Sequence, residues 1–188
     1  MRNIILASAS PRRKQILTQV GIPFEVKVSN VDENIPEENP QKLAEKLSRL
    51  KAEDVARKNP DSIILAADTV VVFDGGILGK PGNATEAMHM LKALSGKRHE
   101  VITAFTIMHG SKTITKSEQS SVWFRELTAK EIEAYVVTGE PLDKAGGYGV
   151  QEKGAVFIRR IEGDYYNVVG LPICAVVQEL EKLGLYVF

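Results

Sequence analysis

The sequence predicts an α/β fold, and three observations point to it. Short runs rich in β-branched residues alternate with stretches whose apolar positions fall three and four apart. The longest run, Ile63 to Phe73, is apolar at almost every position, as in a strand covered on both faces. Gly, Pro, Asn and Asp punctuate the boundaries between the two kinds of segment. The length, 188 residues, fits one large domain or two small lobes.

Composition narrows the function classes. At 44% hydrophobic and 26% charged, the chain can bury a full core as an ordinary soluble protein. Lys plus Arg equals Asp plus Glu, 24 each, so no global field draws in nucleic acid or an anionic membrane. Nor do aromatic and basic residues interleave as in an RNA-binding module. The single cysteine, Cys174, excludes an internal disulfide framework and a cysteine zinc site, and its apolar helical surroundings read as those of a buried, inert thiol. No apolar run reaches the roughly 18 residues of a membrane span. Met1-Arg2-Asn3 followed by Ile4 to Ala7 is too short for a signal peptide, so a cytoplasmic location is expected.

Ile4 to Ala7 reads as a short buried strand, followed by Ser8-Ala9-Ser10-Pro11-Arg12-Arg13. Ile16, Leu17 and Val20 are spaced for a helix that Ser10 caps, Pro11 opens and Gly21 closes. A strand, a hydroxyl-bearing turn and a helix N-terminus together make an anion site. Ser8 and Ser10 add hydroxyls, and Arg12 and Arg13 add forks suited to phosphate oxygens. A capped helix with two solvated arginines is the plainer reading, and only the combination favours phosphate.

Phe24 to Val28 alternates like a half-exposed strand. Asp32 and Glu33 follow in a loop, where they are either solvated or placed to ligate a metal. Pro40 to Lys58 is an amphipathic helix with Leu43, Leu47, Leu50 and Val55 on its apolar side. Lys51 lies four residues after Leu47, within or beside that stripe. It either snorkels from the core or reaches a bound phosphate.

Asp68 interrupts the apolar run of Ile63 to Phe73, with the small residues Ala66 and Ala67 before it. A bare carboxylate there costs several kcal/mol unless paired, hydrogen-bonded or metal-bound. A lone acid by default ends a strand or pairs with a buried arginine, but this run continues past Asp68. Asp68 is therefore the expected chemical centre.

Asp74-Gly75-Gly76 is a hairpin signal, Ile77-Leu78 the return strand, and Lys80 a cation just beyond it. Asn83 to Glu86 opens a helix through Ala87, Met90, Leu91 and Leu94 that Gly96 stops. His99 to Met108 and Thr113 to Phe124 are strands around a turn at His109 to Lys112. His89, His99 and His109 show no metal-ligand spacing. Thr128 and Glu131 form a capping box for a helix ending at Gly139. Three glycines follow among the four residues 146 to 149, between Asp143-Lys144 and Gln151. They suit either a flexible connector or a shaped ligand loop, and the flanking residues favour the loop. An amide such as Gln151 can read a base edge. Ala155 to Ile161 and Tyr165 to Val169 read as strands, Gly170-Leu171-Pro172 opens a last helix, and Leu185 to Phe188 adds a closing strand.

The residues alone describe an α/β enzyme with a phosphate-grasping turn, a buried acid and a glycine-rich wall, suited to metal-assisted attack on a phosphate ester or anhydride. No Walker A or dinucleotide fingerprint is present. Leu6 to Arg13, Ala67-Asp68-Thr69, Gly79-Lys80-Pro81, Leu94-Ser95-Gly96 with His99, Glu140 through Gln151, and Val169 to Pro172 occur in order. Together they resemble the Maf family of nucleoside triphosphate pyrophosphatases, over essentially the whole chain. The resemblance implies one domain, 1–188, with two lobes around a central cleft, similar to inosine triphosphate pyrophosphatases. It implies hydrolysis between the α and β phosphates with a divalent metal, Mg or Mn. Asp68 matches the catalytic acid, and Ser8, Arg13, Lys51 and Lys80 match phosphate-binding positions. Asp68 and Glu33 are the implied metal ligands. Arg12, Thr69 and Gln151 match the branch acting on dTTP and UTP. Pyrimidine nucleoside triphosphates are the implied substrates, with neither nucleic acid nor membrane as partner, and a homodimer is the expected assembly. The alternative is a nucleotide-binding regulator of septum formation without essential catalysis.

Overall fold

The computed structural model describes residues 3–187. It contains strands β1 (Ile4–Leu6), β2 (Glu25–Val26), β3 (Ile63–Phe73), β4 (Gly76–Leu78), β5 (Arg98–His109), β6 (Lys112–Phe124) and β7 (Ile158–Glu162). The helices are α1 (Pro11–Gln19), α2 (Pro40–Ala56), α3 (Ala84–Leu94), α4 (Ala129–Val137), α5 (Tyr165–Val169) and α6 (Ile173–Glu181). Among the described residues the strands form one mixed sheet in the order β2-β1-β3-β5-β6-β7, with β4 paired to β3. No helix of the described residues is long and apolar enough to cross a membrane.

The chain divides into two compact units. Of the described residues, the first holds 3–68, Thr103–Glu118 and 170–187. In it β1 pairs in parallel with β2 and β3, Ile5 opposite both Glu25 and Ile64. Both faces of β1 and of the first half of β3 are buried, which is why these segments read as continuous apolar runs. Ala52 and Val55 of α2 pack on Ile5, Ala7, Ile64 and Ala66. Asn39 caps α2 by accepting from the Lys42 amide at 2.9 Å.

The second unit holds Thr69–Ile102 and Gln119–Val169. Its hairpin pairs Val71 with Leu78 across the turn at Asp74-Gly75. Helices α3 and α4 pack together over Val101, Val122 and Phe124. The expected capping box is present at Thr128 and Glu131.

Several expectations need correcting. Tyr165 to Val169 is helix α5 and not a strand. The Tyr166 amide donates to Asp164 Oδ1 at 2.7 Å, and the buried Asn167 side chain donates to Val101 O and Ser120 Oγ. Those bonds override the β propensity of a Tyr-Tyr-Asn-Val-Val segment. The strand expected over Phe24 to Val28 shrinks to two residues. The one expected from Ala155 begins at Ile158, after a 3-10 turn over Lys153–Phe157. Residues 185–187 form no closing strand, and Phe188 lies outside the described residues. Cys174 is exposed: helix α6 buries Ile173, Val176 and Leu180, and the helical period turns Cys174 away with Gln178 and Glu181. Ser10 occupies the N-cap of α1, but its side chain makes no capping bond.

Candidate active site

Asp68 is 9% exposed on β3, at the end of the part that belongs to the first unit. Its Oδ1 accepts from Lys51 Nζ at 2.6 Å. Lys51 is buried on α2, one turn beyond Leu47, so the apolar stripe that seats the helix also delivers the ammonium. The same Nζ lies 3.0 Å from Oε1 of Glu33, whose side chain is half-exposed. Glu33 sits in the loop before α2, which is shaped by Asn30 N donating to Asp54 Oδ2 and Asn34 N donating to Asp32 Oδ1. Lys51 thus bridges two carboxylates and partly offsets the cost of burying Asp68.

Beside this trio stands the turn between β1 and α1. Arg13 Nη1 donates to Ser8 Oγ at 3.0 Å, and its Nε donates to the Gly170 carbonyl at 2.8 Å. The Ser10 amide also donates to Ser8 Oγ, at 3.2 Å. Burial pulls the Arg13 guanidinium below its ordinary pKa. Asp68 and Glu33 counter that pull, whereas the charge of Arg12 adds to it. These couplings place Arg13 within electrostatic reach of Asp68, Glu33 and Arg12. The first unit therefore gathers Ser8, Arg12, Arg13, Glu33, Lys51 and Asp68 in one neighbourhood.

Thr69 is the first residue of the second unit and is half-buried. Lys80 and Gln151 belong to the second unit, and both are exposed. Their loops are joined there, since the Gly146 amide donates to the Gly79 carbonyl at 3.0 Å. Gly146 has φ +70°, and a Cβ on it would lie 3.0 Å from Val71 Cγ1, so this turn excludes other residues.

Sequence reasoning missed the Gly170 carbonyl that holds Arg13, and also the Tyr135–Glu140 bond under the glycine loop. The first is invisible because 157 residues separate the partners. The second was hidden because Tyr135 matched the apolar spacing of α4.

Among the described residues no three His, Cys, Asp or Glu side chains converge as a metal cage. Asp68 and Glu33 nevertheless offer two hard carboxylates already bridged by a cation, the Lys51 ammonium. That donor set fits Mg or Mn, which take one or two carboxylates and fill their shell with phosphate oxygens and water. A separate hollow of about 430 Å³, lined by His109, Lys112 and Lys182, contains none of these residues.

A family model described as Maf-like protein matches residues 3–183. The chain is 52% identical over 186 residues to a dTTP/UTP pyrophosphatase of Bacillus cereus (strain AH820), covering 98% of this chain and 97% of that protein. A dTTP/UTP pyrophosphatase of Bacillus anthracis matches with the same identity and coverage. Among solved structures, a HAM1 protein from Coxiella burnetii superposes with TM-score 0.54 at 16% identity, over 97% of this chain and 100% of that one. That likeness concerns the fold.

Proposed function

This chain belongs to the Maf family, and from that premise we infer that it hydrolyses dTTP and UTP to the nucleoside monophosphate and pyrophosphate. The observation that carries the chemistry is the buried Asp68 carboxylate held by Lys51 in the same unit as the Ser8–Arg13 turn. Asp68 is the general base. Lys51 holds Oδ1, so the proton from the attacking water goes to Oδ2. The water oxygen bonds to phosphorus, the α–β anhydride bond breaks, and pyrophosphate leaves with its bonding electrons. Ser8 and Arg13 bind phosphate oxygens, and Lys51 keeps Asp68 Oδ1 while its bond to Glu33 is exchanged for one to the arriving phosphates. These cations offset the charge that grows on the leaving group.

Asp68 and Glu33 are the ligands proposed for a divalent cation, Mg or Mn, which when bound supplies Lewis-acid stabilisation of the phosphate oxygens. The family resemblance assigns Lys80 to phosphate binding, and Arg12, Thr69 and Gln151 to the choice of base. Hydrogen-bond readout by Gln151 would discriminate well, because a wrong base leaves polar groups unpaired. The whole of 1–188 is proposed as one functional domain, acting in the cytoplasm as a homodimer. A regulator without catalysis is not favoured, since the relatives at 52% identity are named for an enzyme activity.

Incubation of the protein with dTTP or UTP and Mg tests this reading. The expected products are monophosphate and pyrophosphate in equal amounts. Orthophosphate with the nucleoside diphosphate, or no turnover at all, would overturn it.

A further inference from the structure

In the second unit, the loop after α4 is built around a lysine that the reaction does not use. Lys144 is 5% exposed. Its Nζ donates to the Glu140 carbonyl at 2.8 Å and to Asp143 Oδ1 at 2.7 Å, and lies 2.9 Å from Glu152 Oε2. All three ammonium donors are thereby engaged. Two of the acceptors precede the glycines, and the third belongs to the residue directly after Gln151.

The backbone is fitted to this lysine. A Cβ on Gly149 would lie 2.8 Å from Lys144 Cε and 3.2 Å from its Cδ. A second brace runs beside it. Tyr135 Oη donates to Glu140 Oε1 at 2.8 Å and accepts from the Gly149 amide at 3.3 Å. Glu140 also accepts from the amides of Lys153 and Gly154. A Cβ on Gly154 would come within 2.8 Å of the Gly149 carbonyl and 2.9 Å of Tyr135 Oη. Gln151 is thus an exposed side chain on a backbone pinned on both sides.

A buried ammonium is an expensive way to hold a loop for stability alone, because well-packed apolar side chains do as well. Its directional bonds do what apolar contacts do not: they fix where the chain runs. We propose that Lys144 is a positioning residue that sets substrate choice by holding the backbone that carries Gln151. The proposal rests on the reading that Gln151 contacts the base.

The test compares Lys144→Met, Glu152→Ala, Gln151→Ala and the double variant Lys144→Met/Gln151→Ala. kcat and KM are measured for dTTP and dGTP, with urea unfolding in parallel. Gln151→Ala is expected to lower the dTTP-to-dGTP ratio of kcat/KM about tenfold or more. Lys144→Met should lower it comparably, with the loss falling on KM for dTTP, and the double variant should be no worse than Gln151→Ala alone. Glu152→Ala, at a half-exposed side chain, serves if Lys144→Met does not fold, and should lower the ratio in the same direction. If Gln151→Ala changes the ratio but the Lys144 and Glu152 variants do not, the positioning role is wrong. If Gln151→Ala leaves the ratio unchanged, the base-contact reading fails and this proposal fails with it. Lower stability with an unchanged ratio would make Lys144 merely structural.

Discussion

Lys51 touches two carboxylates, and Asp68, the deeper of them, has side-chain exposure of only 12%. Removing one member of such a pair is worse than removing both, because a lone buried charge loses its compensation. Lys51→Met is therefore expected to cost about 3 kcal/mol in urea unfolding, and Asp68→Asn/Lys51→Met to recover more than half of it. Equal losses in the single and double variants would mean that the pair carries no such coupling. Asp68 was legible in the sequence because an acid inside an unbroken apolar run has few physical excuses. Lys51 was half legible: its spacing put it beside the apolar stripe, but no spacing rule names its partners. Glu33 was less so, since an acid in a loop is usually solvated, and it meets Lys51 across a turn whose shape depends on Asp54 and Asp32.

At the scale of elements, long periodic segments were the most legible. Helices α2, α3 and α4 follow their apolar spacing, and α3 and α4 carry the caps expected of them. Short segments were not, because a few tertiary bonds outweigh propensity there. The α5 segment looks like a strand by composition and coils because Asp164 and Asn167 bind its surroundings. Strand β5 carries a further consequence. Its His99 is buried, with Nε2 2.7 Å from Tyr148 Oη and Nδ1 without a hydrogen-bond partner among the described residues. The Phe124 ring packs edge-on against it. Burial holds the imidazole pKa down to about 4, from 6.5. Above pH 6.5 the ring is neutral whether the chain is folded or not, so its titration takes nothing from stability there. As pH falls from 6.5 towards 4, the unfolded chain takes up a proton that the folded chain refuses, so stability drops. The drop is complete near the folded value and amounts to about 3 kcal/mol, at roughly 1.4 kcal/mol per pH unit. Urea unfolding between pH 4 and 7 should show this decline in the wild type and a flatter profile in His99→Phe. Parallel profiles would assign the decline to other groups.

At the scale of the molecule, equal numbers of acids and bases leave no net charge. The charge pattern is local: Arg12, Arg13 and Lys51 share the first unit with Asp68 and Glu33. Each unit buries its own core, around Ile5 and Ile64 in the first and Leu91 and Phe124 in the second. The α/β class was legible because alternation of apolar runs with helical spacing survives any detail of register. The points at which the chain passes between its two units were not, since β3, β5 and β6 each cross from one unit to the other without a break in pattern. The activity was legible mainly through the family resemblance, with the strand-turn-helix at Ser8 to Arg13 and the acid at Asp68 as its physical counterparts.

The most direct measurement is pyrophosphate release from dTTP by Asp68→Asn, with dTTP binding followed on the same preparation. Loss of the general base should slow release by about 10³-fold while the nucleotide still binds through Ser8, Arg13 and Lys51. Turnover within a few-fold of the wild type would show that Asp68 is not the group that activates water.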